Sequence, residues 1–186
     1  MAGPRAAIVE IQFLDWWIAG TGGSGEGDTD MELTRDAEGC PALPGTQVKG
    51  TLRDTANAFG LLNAAMSEWL GQEGNAQAEL RFGALARLPD EDRAIFAREP
   101  EARAALFGLF RATAIHEANG LARTETLRSA RVAVPMTVTL RLDWIGNGDP
   151  PDTWIEALDR VLALTPAFGK LKNDGMGRAV AWCRPA

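Results

Sequence analysis

Apolar and polar residues alternate at the start of the chain. Val9, Ile11 and Phe13 oppose Glu10 and Gln12, the period of a strand. Beyond Phe13 the alternation fails: Leu14-Asp15-Trp16-Trp17-Ile18 is apolar on both faces, which predicts a doubly buried or bulged end. The longest alternation runs from Arg131 to Trp144. Val132, Val134, Met136, Val138, Leu140, Leu142 and Trp144 share one face, and Pro135 predicts a sheet edge or a bulge because it lacks a ladder donor. Leu109–His116 and Ala179–Cys183 read as two further strands.

Helical spacing appears three times. Val48, Leu52, Ala56 and Phe59 form one stripe. Leu62, Met66, Trp69 and Leu70 mark a second helix over 61–72, followed by a polar connector over 71–78. Trp154, Leu158, Val161 and Leu162 mark a third, with Asp149 as a candidate N-cap and Pro166 as the stop. Residues 79–107 read as short helical pieces with a solvated acidic face, Asp90 to Glu101.

That order is βαββαβ, an α+β, ferredoxin-like fold shared by RNA-recognition motifs. At 186 residues the chain predicts one domain. Its core covers about 7–60 and 108–184, with a helical insertion at about 61–107 and an irregular, thumb-like excursion at about 117–131. The middle strands carry no exposed aromatic pattern and there is no tyrosine, so base stacking on an open sheet is not expected.

Around the stretch Pro41–Arg53 the rest is organised. Two prolines and Gly45 turn the chain, Thr46 stands as the N-cap, and Lys49 and Arg53 form a stripe beside the apolar one. A glycine turn into a helix N-terminus with two cations can hold a phosphate; alone, it also reads as a tight loop before an ordinary helix. Near the C-terminus, Gly169, Gly175 and Gly177 alternate with Lys170, Lys172 and Arg178. Such a loop lets a phosphate backbone approach main-chain N–H groups and cations, or is a flexible connector. Between first strand and first helix lies an acidic loop containing Asp28, Asp30 and Asp36. It can hold Mg²⁺ or orient a ribose 2′-OH, or it is simply a solvated surface loop.

Composition narrows the chemistry. Apolar content of 46% and charged content of 24% suit a globular protein, and no run is long enough to span a membrane. The segment after Met1 is too interrupted by Glu10, Gln12 and Asp15 to be a signal peptide, so a cytoplasmic location is expected. Cys40 and Cys183 lack zinc spacing. His116 is the only histidine, which removes histidine-pair ribonuclease chemistry. Gly20, Gly22 and Gly25 match G-x-G-x-x-G, but carboxylates follow where a helix should open, so no dinucleotide site is expected. The net charge of −6 argues against non-specific coating of nucleic acid, yet residues 102–141 carry six arginines against two carboxylates.

Gly-Cys-Pro-Ala-Leu-Pro-Gly-Thr-Gln-Val-Lys-Gly-Thr-Leu-Arg (39–53) resembles the P-x-I-P-G-S-S-L-K-G-x-L-R signature of the repeat-associated mysterious proteins, the RAMP superfamily. More narrowly, it resembles backbone subunits of type III CRISPR–Cas effector complexes, which serve antiviral defence. Phe168–Arg178 is similar to the family's glycine-rich loop, and Ala105-Leu-Phe-Gly to its L-F-G segment. Thr113–Arg123 with Leu127 is similar to the I-D-R-x-T-G-x-A stretch leading to the thumb, with His116 and Glu117 where the family has Asp and Arg.

The resemblance implies a guide-RNA-binding subunit with CRISPR RNA, complementary target RNA and neighbouring RAMP subunits as partners, and no membrane. Thr46, Lys49, Arg53, Gly169, Lys170, Lys172, Gly175, Gly177 and Arg178 would hold RNA, and Arg123 and Arg128 of the thumb would lie near phosphates. Asp30, six residues before Asp36, matches the position that cuts target RNA in members with endoribonuclease activity, and would use Mg²⁺ or Mn²⁺ as its metal; Asp28 competes for that role. An inactive RNA-binding backbone subunit and a stand-alone enzyme processing precursor CRISPR RNA are the alternatives.

Overall fold

A computed structural model describes residues 2–20, 32–71, 78–112 and 128–186. In chain order the elements are β1 (Ala6–Phe13), β2 (Ala42–Pro44), α1 (Gly45–Ala58), α2 (Ala64–Leu70), β3 (Leu80–Phe82), β4 (Leu85–Arg87), α3 (Asp90–Arg98), α4 (Pro100–Ala104), β5 (Phe107–Ala112), β6 (Arg128–Ala133), β7 (Thr137–Trp144), α5 (Trp154–Ala163) and β8 (Ala179–Pro185). One turn of 3-10 helix, Lys172–Asp174, precedes β8.

β1 is an interior strand of the main sheet, paired along both edges. Ile11 lies opposite Val138 of β7 and Ala181 of β8, both pairings antiparallel. The sheet order is β2-β4-β7-β1-β8, with β3 also on β7. Taking the β3–β4 ribbon as second core strand and β7 as third, the order is fourth, first, third, second: the ferredoxin-like arrangement. One face of β1 and β7 is buried through Val9, Ile11, Phe13, Val138, Leu140 and Leu142. Val48, Leu52 and Ala56 of α1 and Trp154, Leu158 and Val161 of α5 join that same core. Each such large apolar side chain contributes about 1.5–3 kcal/mol when fully buried.

After Phe13 the chain leaves the strand. Trp17 exchanges backbone hydrogen bonds with Ala133, stacks on Phe13 at 4.3 Å and donates from Nε1 to the Val134 carbonyl at 3.1 Å. Trp17 and Ile18 are buried, while Leu14 and Trp16 point outward, 49% and 44% exposed. The doubly apolar end is therefore a joint between the main sheet and the β5–β6 hairpin.

Several expected boundaries move. The alternation 131–144 is not one strand: the chain changes sheets at Pro135, which has no N–H to continue the ladder, so β6 pairs with β5 and β7 with β1. The strand expected at Leu109–His116 begins at Phe107 and belongs to that hairpin; residues 113–116 lie outside the described residues. The core's second strand comes instead from 80–87, inside the span expected to be a helical insertion. β3 and β4 are too short to show a period, and they are recruited by pairing with β7. Phe59 is 57% exposed, because α1 ends at Ala58 and the chain turns before that residue can face inward. Asp149 does not cap α5; it lies 3.5 Å from Arg5, and Thr153 precedes the helix.

Gly45 and Gly50, five residues apart on α1, have opposite reasons to be glycine. A Cβ on Gly45 would meet the Gly83 carbonyl oxygen closer than the 3.0 Å real Cβ atoms keep, whereas nothing lies within 4 Å of one on Gly50. Gly45→Ala is expected to cost about 1–3 kcal/mol through overpacking. Gly50→Ala should stabilise by about 0.8–1.0 kcal/mol, the helix-propensity difference. Urea unfolding of both variants checks the opposite signs.

Candidate nucleic-acid interface

β2 runs directly into α1. Pro44 holds an extended conformation with φ −56° and ψ 132°, and the Gly45 N–H donates to the Ala84 carbonyl at 2.9 Å, so the helix starts at Gly45. Thr46 is thus not the N-cap; it sits, exposed, inside the first turn. Among the described residues no side chain caps this end, and no acidic residue occupies its first turn, so the positive end of the helix dipole has no carboxylate within that turn.

Thr46, Lys49, Gly50 and Arg53 share one face by helical spacing. Lys49 and Arg53 are half-buried. Burial, and secondarily the Arg53 guanidinium, hold the Lys49 ammonium below its ordinary pKa. Both causes disfavour its charge, and an arriving anion opposes both.

The glycine loop is pinned to the chain that leaves β1. Lys170 N–H donates to the Ile18 carbonyl and Gly177 N–H to the Trp16 carbonyl, each at 2.8 Å. Gly169 and Gly177 have φ of 92° and 73°, and a Cβ on either would collide with a carbonyl oxygen, of Ile18 and Phe168 respectively. Gly175, at φ 81°, ends the 3-10 turn that presents Lys172 to solvent. This loop is stapled in place.

The two halves meet at Gly20. Gln47 of α1 donates from Nε2 to the Gly20 carbonyl at 3.3 Å. Lys170 Nζ comes within 3.0 Å of where a Cβ on Gly20 would stand. Gly20 also bridges Leu33, and Thr34 N–H donates to the Ala19 carbonyl at 2.7 Å, so the two ends of the acidic loop are tied together at the same point. A helix start, a cationic glycine loop and the base of a carboxylate loop therefore converge on one glycine.

Arg178 has a partner that the sequence did not reveal. It forms an ion pair with Asp15, which holds the Asp15 carboxyl below the usual range and raises the guanidinium's own pKa. Of the acidic loop, Asp28 and Asp30 lie outside the described residues. Asp36 is only 8% exposed, and its Oδ1 accepts from the N–H groups of Glu38 (3.1 Å) and Cys40 (2.8 Å). That is the geometry of a loop-closing carboxylate. Arg103 donates to the Glu38 carbonyl at 3.2 Å and Arg93 lies 3.7 Å from the Glu38 carboxylate, so α3 and α4 clamp this end of the loop. Among the described residues no three His, Cys, Asp or Glu converge as a metal site, and the metal candidate Asp30 is not among them.

Arg123 also lies outside the described residues, and Arg128 is the first residue of β6, opposite Ala112. On the hairpin, Leu109, Arg111 and Arg131 share an exposed face, while Val132 and Ala130 turn inward. Reading the sequence missed Asp15, Trp16, Gly20 and Gln47. The signals were that alternation fails beyond Phe13 and that Gly20 opens a glycine-rich run.

No family model matches this sequence, and no curated protein is similar to it in sequence. Solved structures are similar in fold. A chain of the Type III-B Cmr-beta complex in its apo state superposes with a TM-score of 0.68 at 13% identity, over 95% of this chain and 96% of that one. A chain of Type III-B Cmr-beta bound to cognate target RNA superposes with a TM-score of 0.71 at 11% identity, over 98% of both chains. Over nearly its whole length, the chain has the fold of subunits of a type III-B effector assembly. It is the α+β fold that the order of elements predicted.

The Lys49 ammonium is expected to titrate below 10.5, and Arg53→Gln to return only part of the shift because burial is the larger cause. Lysine-selective NMR titration of both forms measures it; full recovery in the variant would reverse the order of causes.

Proposed function

We propose that this protein is a guide-RNA-binding backbone subunit of a type III CRISPR effector complex. The convergence on Gly20 carries the reading: the uncapped start of α1, with Lys49 and Arg53 on its face, abuts a pinned glycine loop bearing Lys170 and Lys172. Main-chain N–H groups at a helix start and cations on a loop of fixed shape bind phosphates without reading bases. The signature at 39–53 and the likeness to a chain from a complex bound to target RNA support the same ligand. Neighbouring subunits of the same superfamily are the expected protein partners. No described helix is long and apolar enough to cross a membrane.

The proposal extends to cleavage of guide-paired target RNA through Asp30. Only Met31 and Glu32 separate Asp30 from Leu33 in the sequence, and Leu33 bridges Gly20. In the reaction a ribose 2′-oxygen attacks its own phosphorus, the bond to the 5′-oxygen breaks, and a 2′,3′-cyclic phosphate and a 5′-hydroxyl result. Carboxylate oxygens suit Mg²⁺ or Mn²⁺, which when bound would neutralise charge developing on the phosphate. Asp36 would act at a distance, by fixing the far end of the loop.

Asp30→Ala should abolish metal-dependent cutting of guide-paired RNA while the complex still assembles with its RNA. Normal cutting by that variant overturns the Asp30 assignment, and no cutting by the wild type under any metal makes the chain a binding subunit only. Lys49→Gln with Arg53→Gln should weaken RNA binding. Each lost phosphate contact should reduce the slope of log K against log salt by about 0.7. Affinity measured across a salt series reads both.

A further inference from the structure

Beside the glycine loop lies a cavity of about 420 Å³ lined by Leu14, Asp15, Trp16, Phe110, Pro135, Gly175 and Met176. Its position is set by features already described. The floor is the chain leaving β1, one wall is the glycine loop, and the other is the base of the β5–β6 hairpin, where Pro135 redirects the chain. Trp16 is 44% exposed and Leu14 49%, although Trp17 and Ile18 next to them are fully buried. The indole is not loose. Its Cζ2 and Cη2 lie within 3.8 Å of where a Cβ on Gly108 would stand, and its backbone carbonyl accepts from Gly177. An aromatic ring held by its backbone and backed by a strand, yet open on a cavity, is preorganised to receive another flat group.

We propose that this cavity takes a single unstacked nucleobase of a bound RNA, with Trp16 as its stacking platform. This rests on the RNA-binding reading above and adds to it a contact with a base. Three observations choose a nucleobase. The cavity wall is the phosphate-binding loop itself, through Gly175 and Met176, so a strand whose backbone follows that loop passes the opening. The polar group on its rim, Asp15, is engaged by Arg178, whose exposed guanidinium keeps further donors that a phosphate could accept from. Finally, the lining is apolar through Leu14, Trp16, Phe110, Pro135 and Met176, with the Trp16 ring half exposed to it, which suits the face of a flat aromatic group.

Binding of a short, labelled single-stranded RNA to the full chain tests this, using Trp16→Ala, Trp16→Phe and an RNA with abasic sites. Trp16→Ala should lose roughly tenfold in affinity, within the range that base–aromatic stacking supplies, while Trp16→Phe should retain most of it. The salt slope should stay unchanged in both, because no cation is removed. Abasic RNA should bind wild type and Trp16→Ala alike. Wild-type affinity in Trp16→Ala overturns the stacking site and leaves phosphate binding standing. Absence of RNA binding by the wild type overturns both readings. If Trp16→Ala instead changes the sedimentation of the RNA-free chain and not its RNA affinity, the face is a protein contact and the proposal fails.

Discussion

Close approach of backbone to backbone, at positions where no Cβ fits, is the constraint on which this structure depends. At Gly45 the start of α1 lies against the Gly83 carbonyl, and at Gly169 and Gly177 the C-terminal loop lies against Ile18 and Phe168. The first contact lets a strand run straight into a helix while its N–H completes a ladder bond to Ala84. The second presses the loop onto the chain leaving β1, and the third brings the two ends of the loop together. All three serve one geometry, in which α1 and the glycine loop both reach the same residue, Gly20. Side chains at those glycines would separate the two surfaces before any question of charge arose.

Charge is distributed to match. The chain carries a net charge of −6, yet several of its described acids are engaged away from Gly20. Asp36 is consumed in closing its own loop, Glu38 faces Arg93, and Asp143 sits between Arg81 and Arg141 on the far face of the sheet. Lys49 is left in surroundings that disfavour its charge, partly buried and beside a second cation. That arrangement is unfavourable in an isolated domain and favourable once an anion arrives, since the attraction of a phosphate offsets both the cost of burial and the repulsion. Asp15 shows the opposite case. Its carboxylate has found Arg178, and the pair holds the rim of the cavity beside Trp16.

Long elements with one buried face were legible without the structure. β1, β7, α1 and α5 each repeat their period several times, and the buried residues are those the pattern marked, apart from Phe59 at the frayed end of its helix. Short elements were not. β3 and β4 have three residues each, too few to display a period, and they exist because β7 offers them an edge. An unbroken alternation across Pro135 concealed a change of sheet, since Val132 and Val138 are both buried although they sit in different sheets. Lys49, Arg53 and the glycines of the loop were visible as chemistry, because residue type and spacing carry that information. Asp15, Gln47 and Trp16 were not, because each matters through a partner far along the chain: Arg178, Gly20 and Gly108.

By itself, then, the sequence determined the α+β class, the apolar faces and the residues able to meet a phosphate, all of which follow from local period and side-chain chemistry. Only the tertiary structure decided which strands pair, where α1 begins, and that the helix start, the glycine loop and the acidic loop share one point. Those outcomes depend on contacts between residues far apart along the chain, more than a hundred positions for Gly20 with Lys170 and Asp15 with Arg178. No window of sequence contains both members of such a pair.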